Sequence, residues 1–247
     1  MRIHVSPDPA RACARFIGAR LSIAVAERGT ASLAVSGGST APPLFDALVD
    51  CGLPAGDWSA VDVWQVDERV APDGDDDRNA GQLGALPATT HPMPVTADDL
   101  DAAAVRYADE LPAVFDVVHL GLGSDGHTAS WAPRPHPDVE ETLTSSAHVL
   151  AIGEFNGRRR MTLGPAVVNA ALWRVVLATG ESKAGPVSSW VRGVAEAGGA
   201  RVDPDLPIAS VRLDDTVVFL DEAAAEDLDP SDFVRVDADG FPADVAV

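Results

Sequence analysis

One of the six histidines lies where it could take a proton from water. His127 follows the glycine-rich stretch Gly121–Gly126 and comes two residues after Asp125. An imidazole changes charge near neutral pH and can therefore serve as a general base. The alternative is a surface or capping histidine. We take His127 and Asp125 as the candidate catalytic residues, whereas His119, inside an apolar run, is expected to be a hydrogen-bonded core residue.

A loop of small residues offers a second kind of chemistry. In Ser-Gly-Gly-Ser-Thr, Gly37 and Gly38 let the backbone approach a ligand closely, and Ser39 and Thr40 add hydroxyl donors. Backbone amides and hydroxyls at the start of a helix can cradle a phosphate. A plain tight turn between a strand and a helix is the alternative. We treat the loop as a candidate phosphate-binding segment.

Positive charge is concentrated at a few positions of an acidic chain. Arg69 ends the triplet Asp67-Glu68-Arg69, Arg158–Arg160 is a run of three arginines, and Lys183 is the one lysine among 18 basic residues. An arginine can bind a phosphate through two hydrogen bonds, whereas a lysine offers a compact ammonium. The alternatives are solvation of a strand end for the triplet and a surface turn for the arginine run.

Several other chemistries are disfavoured by the spacing of the residues. Gly121–Gly126 fits the dinucleotide pattern G-x-G-x-x-G, but Pro133, Pro135 and Pro137 interrupt the long helix that must follow it. No His, Cys and carboxylate spacing is typical of a metal site, and no Gly-x-Ser-x-Gly elbow occurs. We therefore expect neither a metal nor an organic cofactor.

The elements that must position these residues alternate between strands and helices. Helices are predicted over Asp8–Glu27, from Pro42-Pro43, from a Thr162 cap to Ala171, and from Ala184 to about Val194. Strands are predicted at Ile3–Val5, Ser32–Val35, Val61–Val66, Val114–Leu120, His148–Ile152, Arg174–Ala178, Ile208–Ser210 and Thr216–Leu220.

Such alternation is typical of an α/β fold, a mostly parallel sheet with helices on both faces. Ligands of these sheets bind beyond the carboxyl ends of the strands. Four polar segments follow predicted strands: Ser36–Thr40, Asp67–Arg69, Gly121–His127 and Gly180–Lys183. We expect them to converge on one pocket.

Composition limits the classes of partner. A formal charge of −20 disfavours nucleic acid and anionic membranes as main partners, because both need a basic surface. No apolar run approaches the roughly 20 residues of a membrane span, and no leader is visible at the start, so we expect a cytoplasmic protein.

Cys13 and Cys51 are expected to be buried free thiols. Residues 1–247 are expected to form a single domain, as a monomer or a weak dimer.

Taken together, five segments resemble the 6-phosphogluconolactonase family of the glucosamine-6-phosphate isomerase/6-phosphogluconolactonase superfamily. They occur in the family's order over roughly residues 30–190, and GLGSDGHTAS is the most specific. The five are LAVSGGSTAPPLFDAL, VDVWQVDERVAP, FDVVHLGLGSDGHTASWAP, RRMTLGPAVVNAA and VVLATGESKAGPV. The resemblance implies a Rossmann-like fold and the hydrolysis of 6-phospho-D-glucono-1,5-lactone to 6-phosphogluconate, the second step of the oxidative pentose phosphate pathway.

The resemblance also assigns roles. His127 matches the family's general base, and Arg160 matches the arginine of its R-I-T-L segment. The substrate and phosphate contacts of the family fall on the glycine loop with Ser39, and on Asp67, Arg69 and Lys183. The family uses no metal or organic cofactor, and its partner is a phosphorylated sugar lactone.

The chain departs from the family at three places and leaves two other functions open. Trp131-Ala-Pro133 replaces the usual Leu-Phe-Pro, His119 replaces a usual leucine, and Gly153–Arg159 replaces a stretch often rich in proline and lysine. A sugar-phosphate isomerase or deaminase is one alternative, although Ser130–Ala132 lacks the Asn-Glu pair of the deaminases. A non-catalytic sugar-phosphate sensor is the other.

Overall fold

The computed structural model describes residues 1–51, 53 and 58–237. An eight-stranded sheet runs through its centre in the order β11-β1-β10-β9-β6-β2-β3-β5, and every neighbouring pair is parallel. These strands are β1 (Arg2–Val5), β2 (Ala31–Val35), β3 (Val61–Gln65), β5 (Thr89–His91), β6 (Val117–Gly121), β9 (Trp173–Ala178), β10 (Thr216–Leu220) and β11 (Val234–Arg235).

Helices cover both faces of this sheet, as the alternation predicts. They are α1 (Pro9–Arg28), α2 (Ala41–Cys51), α3 (Ala80–Leu83), α4 (Leu100–Glu110), α5 (Val139–Thr144), α6 (Pro165–Ala170) and α7 (Ala184–Ala197). Side chains of α1 and α2 pack on one face of the sheet, while those of α4, α5 and α7 pack on the other. Neighbouring residues of one strand, such as Val117 and Val118, contribute to opposite cores, because successive side chains of a strand point to opposite faces.

Local signals define the ends of α1 well. The carboxylate of Asp8 accepts a hydrogen bond from the Arg11 amide at 3.0 Å, and Pro9 opens the first turn. Gly29 ends the helix with φ at +80°, a conformation that only glycine adopts without strain. The helix predicted over Asp8–Glu27 is thus confirmed. No helix in the described part of the chain is long and apolar enough to cross a membrane.

A small antiparallel sheet lies beside the large one. It contains β4 (Asp67–Arg69), β8 (Arg158–Leu163) and β7 (Val149–Phe155), with β8 in the middle. β7 and β8 form a hairpin whose turn is Asn156-Gly157. Arg69 pairs with Arg160 across β4 and β8, so this hairpin is joined to the strand that follows β3. The arginine run therefore lies in a strand, and its interpretation as a surface turn is wrong.

Three predicted elements differ from the structure. Thr162 lies within β8 and caps no helix, since α6 begins at Pro165 after Gly164. Ile208–Ser210 belongs to a 3₁₀ helix, Pro207–Ser210, because Pro207 favours the opening of a helical turn. β6 begins at Val117, not at Val114, whose side chain is exposed.

Two predictions about buried residues are correct only in part. Cys13 and Cys51 are both free thiols, but only Cys13 is buried and Cys51 is half-buried. His119 is fully buried, yet neither ring nitrogen has a hydrogen-bond partner among the described residues. Burial lowers the pKa of His119 from its ordinary value of 6.5 to about 3. A neutral, unpaired imidazole thus lies in the core.

Candidate active site

The four polar segments follow four adjacent strands of the sheet. Ser36 comes after β2, Asp67 after β3, Gly121 ends β6 and Gly180 follows β9, and these strands lie in the order β9-β6-β2-β3. A cavity of about 180 Å³ opens at this edge. Six of the predicted site residues line it: Gly37, Gly38, Asp67, Arg69, His127 and Arg160. The sheet therefore brings three of the four predicted segments to one cavity, whereas no residue of Gly180–Lys183 is among those that line it.

His127 and Asp125 form a close pair at this cavity. The Nδ1 atom of His127 lies 2.5 Å from the Asp125 carboxylate, which also accepts the His127 amide at 3.2 Å. Burial disfavours the charged form of Asp125, but hydrogen bonds and charge from His127 outweigh it, so the pKa of Asp125 is lowered. An ionised carboxylate only accepts hydrogen bonds, so Nδ1 carries a proton, and in the neutral imidazole Nε2 is then the atom with a free lone pair.

Gly123 makes the close approach of these two side chains possible. A Cβ atom at this position would lie 2.0 Å from Nδ1 of His127 and 2.4 Å from the Asp125 carboxylate. The Gly123 amide also donates to the His127 carbonyl at 2.8 Å, which closes the turn. All residues from 122 to 138 are described, and no helix occurs among them. The glycines thus build the turn that carries the candidate catalytic pair, and no helix of the kind that binds a dinucleotide follows them directly.

The glycine loop is held from the side by a segment that the sequence analysis did not single out. The Gly38 amide donates to the Gln82 side chain at 3.1 Å, and the Gln82 amide returns a bond to the Gly38 carbonyl at 3.3 Å. A Cβ on Gly37 would lie 2.4 Å from the Asn79 side chain. The Gly38 amide is thus bonded to Gln82. The contribution of Gly38 to the site is its left-handed backbone conformation, φ +95°, and the space left by the missing side chain.

Glu68 anchors this arrangement from within the protein. Its side chain is fully buried and accepts the amides of Asn79 and Ala80 at 2.8 Å each and that of Arg69 at 2.7 Å. Arg78 lies 3.1 Å from the same carboxylate and compensates its charge. Glu68 therefore joins the end of β4 to the segment that clamps the glycine loop.

Asp67 is buried beneath the cavity. Its carboxylate accepts a 2.6 Å hydrogen bond from Ser130 and lies 4.0 Å from a guanidinium nitrogen of Arg160. Burial raises the pKa of Asp67, although Ser130, Arg160 and His127 act in the opposite direction. Its charge compensates the buried Arg160 and connects the two strands that carry them.

The two arginines of the cavity are partly held by backbone carbonyls. Arg69 donates to the Asp77 carbonyl at 2.8 Å, and Arg160 donates to the Phe155 carbonyl at 3.2 and 2.9 Å. Burial lowers the pKa of Arg160, against the favourable charge of Asp67. A guanidinium has five N–H donors, so both arginines keep donors for an anion.

Three further predicted residues, Ser39, Thr40 and Lys183, are not among those that line the cavity. Ser39 is exposed, and neither it nor Thr40 is among the described residues that line the cavity. Lys183 ends the 3₁₀ turn Glu181–Lys183, and burial lowers the pKa of its ammonium while the Asp125 carboxylate acts to raise it. Lys183 therefore lies within electrostatic range of the Asp125 carboxylate.

Asn79, Phe155 and Asn156 also line the cavity and were not singled out from the sequence, whereas Ser36, which lines it too, belongs to the predicted segment Ser36–Thr40. For Asn156 a signal existed, since Asn-Gly is typical of a two-residue hairpin turn. Asn79 and Phe155 carry no comparable signal, because they reach the site through the packing of distant segments. Among the described residues, no group of three or more His, Cys, Asp or Glu side chains is placed to hold a metal ion.

Comparison with known proteins agrees with this geometry. A family model described as glucosamine-6-phosphate isomerases/6-phosphogluconolactonase matches residues 6–219. The chain belongs to this family. A 6-phosphogluconolactonase of Streptomyces coelicolor is 34% identical over 88% of this chain and 89% of its own length. One from Synechocystis is 34% identical over 66% of this chain and 72% of its own length.

A solved structure extends the likeness to three dimensions. The 6-phosphogluconolactonase of Shewanella baltica superposes with a TM-score of 0.74 at 28% identity, covering 90% of this chain and 98% of that one. The family membership inferred from the five segments is thus confirmed, as is the α/β fold with its mostly parallel sheet.

Proposed function

We propose that the protein hydrolyses 6-phospho-D-glucono-1,5-lactone to 6-phosphogluconate, the second step of the oxidative pentose phosphate pathway. The observation that carries this proposal is the Asp125–His127 pair, which meets Arg69 and Arg160 at one cavity. Their common position at one cavity supports the proposal that a base and two phosphate-binding cations act on one small sugar phosphate. The relatives at about one third identity carry the same name.

His127 acts as the general base. Its Nε2 atom takes a proton from water as the water oxygen bonds to the lactone carbonyl carbon. The tetrahedral intermediate then collapses, the bond between the carbonyl carbon and the ring oxygen breaks, and the imidazolium returns the proton to that oxygen. Asp125 holds the Nδ1 proton and stabilises the imidazolium in between. General-base assistance contributes about 10²–10⁴-fold, which suffices for an activated ester.

Arg69, Arg160 and Lys183 bind the phosphate and position the lactone. The phosphate is remote from the bond that breaks, so its binding energy serves to hold the carbonyl carbon next to the activated water. The glycine loop contributes the space that Gly37 and Gly38 leave open. The substrate is thus a small phosphorylated lactone, and neither nucleic acid nor a membrane is needed as a partner. The cytoplasm is the proposed location, in keeping with the two free thiols, Cys13 and Cys51.

The two other functions fit the site less well. A deaminase of this fold is expected to carry an Asn-Glu pair after the histidine turn. Here Ser130 is committed to Asp67, and Trp131 is fully buried with its indole N–H donating to the Leu163 carbonyl at 2.9 Å. A sensor without catalysis would not need the Asp125–His127 pair. Hydrolysis is therefore the better supported function.

Replacing Arg69 or Lys183 by alanine tests whether these two side chains bind the phosphate. A charged hydrogen bond contributes about 1.5–3 kcal/mol. Arg69→Ala and Lys183→Ala should therefore lower kcat/KM for the phosphorylated lactone by about 10- to 100-fold. The loss on unphosphorylated gluconolactone should be much smaller. Arg192→Ala, which removes an exposed arginine on α7, is the matched control and should leave both values unchanged.

Equal losses on both substrates would instead place Arg69 or Lys183 at the lactone ring or in a structural role. Absence of lactonase activity in the unmodified protein would reject the proposed function itself.

A further inference from the structure

The β7–β8 hairpin brings an aromatic side chain into the candidate active site. Its turn, Asn156-Gly157, has φ of +52° and +79°, as a tight two-residue hairpin turn requires. Phe155, the last residue of β7, lines the cavity beside His127 and Arg160. This hairpin includes Gly153–Arg159, the segment in which the chain departs from the family pattern.

Phe155 packs against the imidazole of His127. The ring centroids lie 5.0 Å apart and the planes meet at 82°, an edge-to-face arrangement. The Asp125 carboxylate fixes the imidazole at one ring atom, Nδ1. A single hydrogen bond leaves the tilt of the ring free, so a second contact is needed to fix the direction in which Nε2 points. In this site the phenyl ring provides it.

The same residue also holds Arg160. The guanidinium carbon of Arg160 lies 5.5 Å from the centre of the Phe155 ring, within the range of a cation–π contact. The Phe155 carbonyl accepts two hydrogen bonds from the same guanidinium, at 3.2 and 2.9 Å. Backbone and side chain of one residue thus orient a phosphate-binding cation as well as the base.

The hairpin is anchored well enough to act as a support. Arg158 donates twice to the Asp77 carboxylate, at 3.1 and 2.7 Å, and the Asp77 carbonyl in turn accepts Arg69. On the other side, His136 lies edge-on to Phe155 at 6.1 Å, and its Nε2 is 3.1 Å from the Glu154 carbonyl. Phe155 is therefore held between the arginines of the cavity and the turns that follow His127.

We propose that Phe155 is a positioning residue whose ring sets the orientation of the His127 imidazole and whose carbonyl holds Arg160. This inference rests on the proposed lactonase function. Phe155 acts on catalysis through the side chains of His127 and Arg160. Its ring should therefore affect the rate of the chemical step more than the binding of the substrate.

The test compares two phenylalanines that each carry an arginine over the ring. Phe155→Leu keeps an apolar side chain and the carbonyl that binds Arg160, but removes the ring that packs on His127. Phe233→Leu is the matched control, since Arg235 lies 4.9 Å from the Phe233 ring. We expect Phe155→Leu to lower kcat about tenfold on phosphorylated and unphosphorylated lactone alike, as loss of about 1.4 kcal/mol implies.

KM should change by less than about threefold, and Phe155→Tyr, which keeps the ring, should recover most of kcat. Phe233→Leu should match the unmodified protein. If the leucine variant does not fold, Phe155→Met gives the same comparison.

A kcat of the folded Phe155 variant within twofold of the unmodified value would overturn the positioning role and leave the lactonase function intact. Inactivity of the unmodified protein and of Phe233→Leu would overturn the proposed function, and the inference with it.

Discussion

At the scale of single residues, the proposed catalytic pair depends on the absence of a side chain at Gly123. Gly123 provides the space in which Asp125 and His127 meet, since a Cβ would lie 2.0 Å from Nδ1. We expect Gly123→Ala to displace the imidazole and to lower kcat at least about 100-fold, because general-base catalysis contributes about 10²–10⁴-fold. Steady-state kinetics on the phosphorylated lactone, together with the melting temperature, measures this.

The matched control is Gly199→Ala, whose added Cβ would meet nothing within 4 Å. It should retain full activity. Near-normal turnover of a folded Gly123→Ala protein would show that His127 does not need its present position.

Residue types and their order point to the candidate reactive groups but not to the residues that support them. His127, Asp125, Arg69 and Lys183 are recognisable because each follows a strand end and belongs to a motif. Glu68, in contrast, reads as part of a charged triplet, and only burial of its carboxylate against the Asn79 and Ala80 amides reveals an anchor. Such roles arise from contacts between distant segments, which spacing alone does not encode.

At the scale of elements, β6 carries a residue that makes stability depend on pH. His119 has no hydrogen-bond partner among the described residues, and burial lowers its pKa to about 3, against 6.5 for the exposed side chain. Above pH 6.5 the imidazole is neutral in both states and the effect is absent. Between pH 6.5 and 3 the unfolded chain binds the proton preferentially, so stability falls as the pH falls.

Replacement of this histidine by leucine should remove that dependence. Each pH unit below 6.5 corresponds to about 1.4 kcal/mol, so His119→Leu should gain about 2 kcal/mol more at pH 5 than at pH 8. Urea unfolding at the two pH values measures the difference. The His148→Ala variant, which removes an exposed histidine, is the control and is measured at the same two pH values. An equal gain for His119→Leu at both values would mean that the folded protein protonates His119 freely.

Most of the large sheet was predictable, although β5 and β11 were not predicted, whereas in the small sheet only β7 was predicted, as His148–Ile152. Apolar runs such as Val61–Val66 and Arg174–Ala178 lie in buried parallel strands, where the sequence pattern is strong. The β7–β8 hairpin carries charged residues on its exposed positions, and its Arg158–Arg160 run looks like a surface turn. Its strand character comes from pairing with Asp67–Arg69, some 90 residues away in the chain.

At the scale of the whole molecule, a positively charged cavity is set in a strongly acidic protein. The formal charge is −20, yet Arg69 and Arg160 line the site, so local charge and not net charge decides which ligand binds. We expect 6-phosphogluconate to stabilise the folded protein by about 2.7 kcal/mol at 100 times its Kd. For a chain of this size the melting temperature should rise by roughly 5–11 °C.

Gluconate, which lacks the phosphate, should give a much smaller shift, and NAD or NADP none. Treatment with a chelator should leave the activity unchanged. Stabilisation by a dinucleotide but not by 6-phosphogluconate would assign the cavity to a different class of ligand.

The central claim is that His127 activates water for hydrolysis of 6-phospho-D-glucono-1,5-lactone, and one assay tests it most directly. Initial rates are measured at low temperature and mildly acidic pH, where spontaneous hydrolysis is slow, for the unmodified protein, His127→Ala and the exposed-site control His148→Ala. We predict full activity for the first and third, and a loss of about 10²–10⁴-fold for His127→Ala with an unchanged melting temperature. A folded His127→Ala protein that turns over at the unmodified rate would contradict the account.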